Sequence, residues 1–597
     1  MHRRKLLKTA AAAPLLALTP LLSAGATGAP LRRVRPGEPG WPTARDWRKL
    51  DDAVGGALLE VRPLFSACET DGGSSACRDV LANIQNPFYI GDQAGGTQVS
   101  GWLDAWTPAA SAYALKARNN IDVAAGINFA RERRVRLAVK GGGHSYQGTS
   151  NAPDSLLIWT RALNQITVHD AFVPTGCAGK VEPAPAVTAG AGSMWIDLYD
   201  AVTTRAGRYV QGGGCTSVGI AGLVQSGGFG SFSKGFGSAA AGLLEAEIVT
   251  ADGRIHTVNA CSEPELFWAL KGGGGGSFGV VTRLTLRTHP LPEFFGAAWG
   301  KLHAQSEEGF RRLLARFFEF YAASLFNPHW GEQVRVGPDY TFEISMVCQG
   351  LDAKQAQAVW QPFFDWISAS PHDFTIADKP GAGAKPARQW WEIAGNHSMI
   401  ADKRAGAPAH HGWWEGDQEQ VGAFLHGYDS LWLPATLLEG AERPRLIEAL
   451  IAGSHQQEVE LHFNKGLAGA PPSAIAATLD TATNPAVTKA FALAIIANGE
   501  GPLYPGMGRT PTDQAVAQAD ARAVDQASAQ LRRIVPEAGS YLSESNYFIA
   551  GWQQAFWGKN YPRLRAVKER YDPDGLFVVH HGVGSEDWSA DGFTRLS

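Results

Sequence analysis

The chain has 597 residues, with 53 Lys and Arg against 57 Asp and Glu, a net charge of −4 at pH 7 and 45% hydrophobic residues. This length allows about two to four domains with a sizeable core, which excludes a small disulfide scaffold. The near balance of charge gives no electrostatic reason to bind DNA, RNA or acidic lipid, so we expect no nucleic-acid partner. The chain contains 69 glycines, a larger share than the ~7% that is usual in proteins, and they show no Gly-X-Y period. This excess indicates turns and close backbone approaches.

Residues 1–29 have the pattern of an export signal. A basic start precedes an apolar stretch that contains Pro14 and Pro20 and is shorter than the ~20 residues of a spanning helix, so we predict no membrane span. The order RRKLLK at residues 3–8 is typical of the bacterial twin-arginine signal, with a generic secretory signal as the alternative. We therefore predict export to the periplasm or the extracellular space.

The six cysteines are too few for a disulfide scaffold of this length and show no CxxC spacing, so we predict no metal site. In an oxidising compartment Cys68 and Cys77 can close a short loop, and Cys177 can pair with Cys261. The sequence alone leaves this pairing open.

The first part of the chain predicts a mixed α and β unit. Residues 30–59 form a Pro/Gly-containing leader, and residues 60–295 form one unit punctuated by glycines. Its predicted elements, in chain order, are a helix over 112–134, strands over 135–139, 156–159 and 186–189, a helix over 194–204, a hairpin of strands 243–250 and 254–258, and a strand over 278–286.

Near residue 296 the glycine runs stop and longer elements alternate, which indicates a second α+β domain over 296–548, followed by a C-terminal segment over 549–597. Its predicted elements are helices over 306–324, 352–368 and 512–534, strands over 341–348, 458–463 and 491–496, and loops around 380–386 and 469–474. No repeat of 20–50 residues is found, which disfavours a solenoid or propeller.

Three glycine segments carry the chemistry. GGGHSYQGTS over 141–150 lets backbone N–H groups approach a phosphate, but it lacks both the Walker A ending and the GxGxxG fingerprint. GGGCTSVGIAGLVQSGGFG over 212–230 suits close approach of a large flat ligand, and a cysteine within such a run is unusual. ALKGGGGGSFGVVT over 269–282 continues directly into an apolar strand, which argues against a flexible linker.

Together with NYPRLRAVKERYDPDGLF over 560–577, these segments resemble the FAD-linked oxidases of the berberine bridge enzyme type, in the vanillyl-alcohol oxidase superfamily. The resemblance spans roughly residues 84–590 in the same order. It implies an α+β fold: a PCMH-type FAD-binding domain of two α+β subdomains over 60–295, and a substrate domain with an antiparallel sheet backed by helices. It also implies that the C-terminal segment returns to the FAD domain.

The resemblance also implies how FAD is held. His144 occupies the position bonded to the 8-methyl carbon of the flavin, Cys215 the position bonded to carbon 6, and Val218 the place of a small gatekeeper in oxygen-accessible members. By position, the other cofactor-binding residues are Lys140, Gly141, Gly142, Gly143, Ser145, Gly148, Gly214, Thr216, Gly219, Gly222, Gly227, Gly228, Phe229, Gly230, Gly279, Val280, Val281, Asn560 and Tyr561.

Oxidation of an alcohol needs a base above the flavin that takes the O–H proton while hydride leaves the carbon. The family often uses tyrosines, and Tyr146 retains one such position. Two others depart: Phe229 replaces a tyrosine, and the run YLSESN, which begins at Tyr541, stands where plant members have Tyr-x-Asn-Tyr-x-Asp. Glu544 stands where the family has a second tyrosine, and we expect an apolar, aromatic pocket to raise its pKa, with an ordinary solvated or paired Glu as the alternative.

A second candidate set lies on the predicted strand over 458–463. Strand alternation puts Glu458, Glu460, His462 and Asn464 on one face, and strands of this domain cross above the flavin in similar proteins. His462 and Asn464 are therefore candidates for binding the substrate hydroxyl, against ordinary cross-strand hydrogen bonds. Four tryptophans are candidates for lining the pocket or filling the core: Trp390, Trp391, Trp413 and Trp414.

These features predict an exported FAD oxidase that takes hydride from an alcohol, sugar or related small-molecule donor and passes electrons to O2, giving H2O2. The chemical alternative is a flavin dehydrogenase or an oxidative cyclase of secondary metabolism. The non-enzymatic alternative is a glycine-rich binding protein without flavin.

Overall fold

The computed structural model describes residues 31–596, so the predicted export signal lies outside the described residues. The α-helices are α1 (Ala44–Ala53), α2 (Ser66–Thr70), α3 (Ser75–Asn83), α4 (Pro87–Gly91), α5 (Asn120–Arg133), α6 (Trp195–Tyr199), α7 (Ile220–Gln225), α8 (Ser233–Phe236), α9 (Pro264–Leu270), α10 (Glu307–Phe320), α11 (Ala353–Ser368), α12 (Arg443–Ser454), α13 (Pro472–Leu479), α14 (Gln514–Arg532), α15 (Trp552–Trp557) and α16 (Tyr561–Tyr571).

The strands are β1 (Leu58–Glu60), β2 (Gly101–Trp102), β3 (Tyr113–Lys116), β4 (Arg136–Lys140), β5 (Ser155–Trp159), β6 (Ile166–Phe172), β7 (Ala184–Gly190), β8 (Arg208–Val210), β9 (Leu243–Val249), β10 (Ile255–Asn259), β11 (Val280–Pro290), β12 (Phe294–Ala304), β13 (Trp330–Val336), β14 (Thr341–Gln349), β15 (Phe374–Pro386), β16 (Met399–Ala401), β17 (Gly412–Trp414), β18 (Phe424–Pro434), β19 (Val459–His462) and β20 (Ala490–Glu500).

The first unit contains two sheets. A four-stranded sheet has the order β1-β3-β5-β4, in which β3, β5 and β4 are parallel. The predicted helix over 112–134 is wrong in its first part, because Tyr113–Lys116 pair with β5 and α5 begins only after Asn119, whose side chain accepts from the Asp122 N–H. Beyond it, β10-β9-β11-β7-β6 form an antiparallel sheet, which confirms the predicted β9–β10 hairpin.

The second unit is built on an eight-stranded sheet with the order β15-β12-β14-β13-β19-β20-β18-β2. Helices α10, α11, α12 and α14 cover one face of it and bury a core rich in Phe and Leu. The predicted loop around 380–386 is wrong, because β15 includes these residues as an edge strand, where Pro380 removes no ladder hydrogen bond. The opposite face of the sheet looks toward the glycine segments of the first unit.

The ends of the described chain pack on the first unit. Arg33 is buried and donates to the Gly575 and Gly592 carbonyls, so the predicted leader is a packed part of the fold from residue 31 onward. In the C-terminal segment, Trp557 Nε1 donates to the Gly272 carbonyl and Lys568 Nζ to the Ser277 carbonyl. These bonds hold the C-terminal segment against the third glycine segment.

Both anticipated disulfides are present, Cys68–Cys77 and Cys177–Cys261. The free cysteines of the described chain are Cys215 and Cys348. Within residues 31–596, no helix has the length and hydropathy needed to cross a membrane.

Candidate active site

A cavity of about 1370 Å³ separates the glycine segments of the first unit from the open face of the eight-stranded sheet. It exceeds the ~300–1,000 Å³ of ordinary small-molecule pockets, which leaves room for a dinucleotide and a substrate together. We call the glycine side the floor and the sheet side the roof. The predicted site residues that line the cavity are Lys140, Gly141, Gly142, Gly143, His144, Ser145, Tyr146, Gly214, Cys215, Val218, Gly219, Gly222, Phe229, Gly279, Val281, His462, Asn464, Tyr541 and Glu544.

Eight predicted cofactor positions lie outside the lining: Gly148, Thr216, Gly227, Gly228, Gly230, Val280, Asn560 and Tyr561. Several of them support the floor from behind. Thr216 Oγ1 donates to the Gly412 carbonyl, and Asn560 Nδ2 donates to the Ala482 and Thr483 carbonyls. A side chain at Gly148 would meet the Trp106 ring at 2.5 Å. Of the four candidate tryptophans, Trp390 and Trp414 line the cavity, whereas Trp391 and Trp413 are buried in the core.

The floor meets the requirements of a flat cofactor. Gly142 and Gly219 approach so closely that a Cβ on either would lie 2.9 Å from the other's backbone nitrogen, while a Cβ on Gly222 would meet nothing within 4 Å. Side chains around the cavity also hold buried polar atoms without a partner among the described residues: Gln98 Oε1, Gln147 Oε1, Ser277 Oγ, Asp417 Oδ2, His462 Nδ1, Asn464 Oδ1 and His581 Nδ1. Because buried polar groups are ordinarily paired, these atoms indicate a polar ligand.

His144 is held in one orientation. Its Nε2 lies 3.1 Å from both the carbonyl oxygen and the hydroxyl of Ser217, so Nδ1 is the nitrogen left for another bond. Burial lowers the pKa of His144 to about 4, which keeps the imidazole neutral and nucleophilic at neutral pH.

Cys215 faces an acid that sequence reasoning missed. The Cys215 thiol neighbours the carboxylate of Asp417, a residue of the turn Glu415–Gln420 that follows β17. Burial and the neighbouring Asp417 charge raise the pKa of the Cys215 thiol well above its ordinary value. Burial also raises the pKa of Asp417 to about 7, against the hydrogen bond from Cys215. The pair forms a thiol with a proton acceptor beside it.

The roof carries a charged cluster on β13 and β19. His462 Nε2 bonds to Glu460 Oε2 at 2.9 Å, and Arg335 Nε lies 3.1 Å from Glu460 Oε1. Burial alone would raise the pKa of Glu460, but the hydrogen bond from His462 and nearby cations outweigh it and bring the pKa to about 2. The strand ends at His462, yet all four residues of the predicted face line the cavity, including Glu458 and Asn464.

The expected apolar surroundings of Glu544 are wrong, because Lys465 Nζ donates to Glu544 Oε2. Aromatic side chains complete this corner, with the rings of Tyr146 and Tyr428 5.4 Å apart and those of Phe229 and Tyr541 5.1 Å apart. Burial raises the pKa of Tyr146, Tyr428 and Tyr541, so their hydroxyls stay protonated at neutral pH and are able to donate hydrogen bonds to a ligand.

Glu332 on β13 was also missed, as were Lys465 and Tyr428. Glu332 has a left-handed backbone (φ 59°) within a strand and lines the cavity, and such strained residues concentrate at functional sites. No local motif marks these residues, because they come from separate segments that meet only in the folded sheet. The polar run EGDQEQ over 415–420 was the one available signal for Asp417.

Comparisons with known proteins identify the family of the chain. Residues 111–259 match the family described as FAD binding domain, and residues 540–584 match the family described as berberine and berberine like. The FAD-linked oxidoreductase notD' of Aspergillus versicolor is 30% identical over 598 residues, covering 94% of this chain and 90% of its own length. The VAO-type flavoprotein oxidase VAO615 of Thermothelomyces thermophilus is 26% identical and covers 95% of both chains.

Solved structures share the fold. The VAO-type flavoprotein MtVAO615 from Myceliophthora thermophila C1 has a TM-score of 0.76 at 24% identity, over 94% of this chain and 100% of that one. The glucooligosaccharide oxidase of Acremonium strictum, described as carrying 6-S-cysteinyl, 8α-N1-histidyl FAD, has a TM-score of 0.63 at 17% identity, over 90% and 99%.

The chain therefore belongs to the berberine bridge enzyme-like FAD-linked oxidoreductases of the vanillyl-alcohol oxidase type. Its fold is the α+β, PCMH-type fold that the glycine segments predict, and its cofactor is FAD. The alternative of a glycine-rich binding protein without flavin is excluded.

Proposed function

We propose that the protein is an oxidase that transfers hydride from an alcohol, a sugar hydroxyl or a related C–H donor to FAD held by both His144 and Cys215, with O2 as the acceptor and H2O2 as the product. The observation that carries the proposal is the meeting of a neutral, oriented imidazole and a thiol with its own proton acceptor on the floor of one cavity. FAD supplies the two-electron acceptor chemistry.

Residues of the roof bind the substrate and accept its proton. His462 Nδ1 and Asn464 Oδ1 are buried, unpartnered within residues 31–596 and on the cavity wall, so they bind the substrate hydroxyl. The Glu544 carboxylate takes the O–H proton as hydride leaves the same carbon, and the alcohol becomes a carbonyl. Lys465 orients this carboxylate, and the protonated tyrosines donate hydrogen bonds to the substrate oxygen.

Asp417 prepares the attachment at Cys215. The thiolate is the nucleophilic form of cysteine, and burial disfavours it here. With FAD bound, Asp417 would accept the thiol proton and leave the thiolate as the nucleophile for attachment. Forming the C–S bond at a ring C–H carbon releases two electrons, which the flavin itself would accept and then pass to O2.

The charge of the cavity wall favours neutral or cationic substrates. Three basic side chains line the cavity, Lys140, Arg335 and Lys465, and burial lowers the pKa of Lys140 to about 7, so its charge is only partial at neutral pH. Nine carboxyl side chains line it, namely Glu332, Glu343, Glu415, Asp417, Glu419, Glu458, Glu460, Glu500 and Glu544. An anionic sugar or acid entering this field is repelled, so uncharged hydroxyl compounds and amines are the donors to screen first.

The acceptor and the compartment are part of the same proposal. Val218 lines the cavity at the position that a small gatekeeper takes in oxygen-accessible members of the family, which supports an oxidase over the dehydrogenase or cyclase alternative. Export by the twin-arginine route is supported by the RRKLLK segment and by two disulfides, which persist in oxidising compartments.

Intact-mass analysis and the visible spectrum of the acid-precipitated protein test the covalent attachment. We expect wild-type protein to keep yellow flavin after denaturation, and His144→Ala and Cys215→Ala each to retain one linkage. Cys348→Ala is the matched control, since Cys348 is the other free cysteine of the described chain and lies outside the cavity. Flavin lost from denatured wild type, or two linkages in either variant, contradicts bicovalent attachment. Donor-dependent O2 uptake without peroxide contradicts the oxidase.

A further inference from the structure

Three ligand-type side chains converge outside the cavity, on the far side of the Cys215 segment. Asp197 lies in α6, while His410 and His411 end the loop that joins β16 to β17. Both imidazoles address a single carboxylate oxygen: Asp197 Oδ1 lies 3.0 Å from His410 Nε2 and 2.9 Å from His411 Nε2. The three ligand atoms all lie within 4.8 Å of one another.

We propose that Asp197, His410 and His411 bind one divalent transition-metal ion, with Zn²⁺ as the ion that the donors suit best. Zn²⁺ takes imidazole nitrogen and carboxylate oxygen at about 2.0–2.2 Å, so tetrahedral ligand atoms lie roughly 3.3 Å apart. The two observed nitrogen–oxygen distances differ from that value by only a few tenths of an ångström. Two imidazoles exclude Mg²⁺ and Ca²⁺, which take oxygen ligands.

The ligands are oriented by a surrounding shell. Asp197 Oδ2 accepts the Met194 N–H at 2.9 Å, which fixes the carboxylate. The buried His411 ring stacks on Phe88 with centroids 4.3 Å apart. His410 Nδ1 lies 3.7 Å from an Asp200 oxygen, beyond hydrogen-bond distance, so Asp200 adds negative charge beside the three ligands. His410 is about a third exposed and borders a surface pocket, so an ion and a water ligand have access.

The metal would fasten the wall of the active site. A two-stranded hairpin such as β16–β17 is marginally stable alone, and an ion held by His410 and His411 ties it to α6. The next residue, Gly412, accepts the Thr216 hydroxyl behind Cys215, and Asp417 follows shortly after β17. The proposed ion is thus structural and independent of the flavin chemistry.

Metal analysis of the untagged, flavin-containing protein tests the site. After EDTA treatment and removal of the chelator, we expect one equivalent of Zn²⁺ to bind by isothermal titration and to raise the melting temperature. His410→Gln is expected to weaken Zn²⁺ binding by more than about 100-fold, beyond the ~10–100-fold typical of outer-shell changes. His397→Gln, an exposed histidine of the same region outside the cluster, serves as the control and should bind as wild type does.

Wild-type protein that binds less than about a tenth of an equivalent, or His410→Gln that binds as tightly as wild type, overturns the proposal and leaves Asp197 as a hydrogen-bond acceptor only. Zn-edge X-ray absorption of the wild-type protein tests the site without a variant. Two imidazoles and one carboxylate in the first shell support it, whereas sulfur or oxygen-only ligation overturns it.

Discussion

Replacement of Asp417 by Asn tests the role of this carboxylate in flavin attachment. With a pKa of about 7, about one tenth of Asp417 is ionised at pH 6 and about nine tenths at pH 8. If the ionised carboxylate takes the thiol proton, attachment at Cys215 proceeds roughly tenfold faster at pH 8 than at pH 6. Asn accepts no proton, and loss of a general base typically slows a step by about 10²–10⁴-fold.

The assay follows attachment in protein isolated without flavin and mixed with FAD. Peptide mass spectrometry at timed intervals reports the Cys215 and His144 linkages separately at pH 6, 7 and 8. We expect Asp417→Asn to slow the Cys215 linkage and leave the His144 linkage unchanged. Glu415→Gln removes an exposed carboxylate from the same turn and is the matched control. Cys215 attachment in Asp417→Asn at the wild-type rate, with the wild-type pH profile, would refute the reasoning.

Further predictions concern turnover, oxygen and stability. Glu544→Gln and Lys465→Met should each lower kcat by about 10²–10⁴-fold. Because the two side chains are paired, the double variant should have nearly the same kcat as either single variant. Additive losses of kcat in steady-state assays would contradict a shared role. In stopped-flow experiments, Val218→Leu should slow the reoxidation of the reduced flavin by O2 at least about tenfold, while the anaerobic reduction of the flavin by the donor stays within about twofold of the wild-type rate. Equal slowing of both steps would contradict a gatekeeper role for Val218. Burial lowers the pKa of His289 from 6.5 to about 4, so the unfolded chain binds a proton that the folded chain excludes, and stability falls as the pH drops through that window. His289→Gln should flatten the decline in melting temperature between pH 6.5 and 4 relative to His397→Gln; parallel curves would disprove it.

The floor of the site could be predicted from sequence because it depends on local backbone. The first and second glycine segments pack backbone against backbone where Gly142 meets Gly219, and this contact leaves no room for a side chain, so it leaves a readable glycine run in the sequence. His144 and Cys215 stand inside those runs, so their positions were found together with them. The export signal and the domain limits stay predictions, since neither has been tested.

Elements with ambiguous periodicity were the ones predicted wrongly. Residues 113–116 carry no signal that separates a strand from the first turn of α5; their pairing with β5, some 40 residues later, decides it. The prediction of a loop around 380–386 failed for the same reason, because these residues pair with β12 and form part of the edge strand β15. In both cases a distant strand outweighs local composition.

The roof is built from residues that are distant in sequence, and for this reason the expected environment of Glu544 was wrong. Lys465 and Glu544 are separated by 79 residues, and the two come together only because β19 ends at His462 and the chain turns back over the cavity. The sequence shows a glutamate in either case and does not show whether its carboxyl group lies in an apolar pocket or beside an ammonium group. An apolar pocket favours the protonated carboxyl group, whereas a neighbouring ammonium group favours the ionised carboxylate. Because the floor is built from local glycine segments while the proposed proton acceptor is assembled from separate segments, we expect substitutions in the roof to change the donor without disturbing the floor.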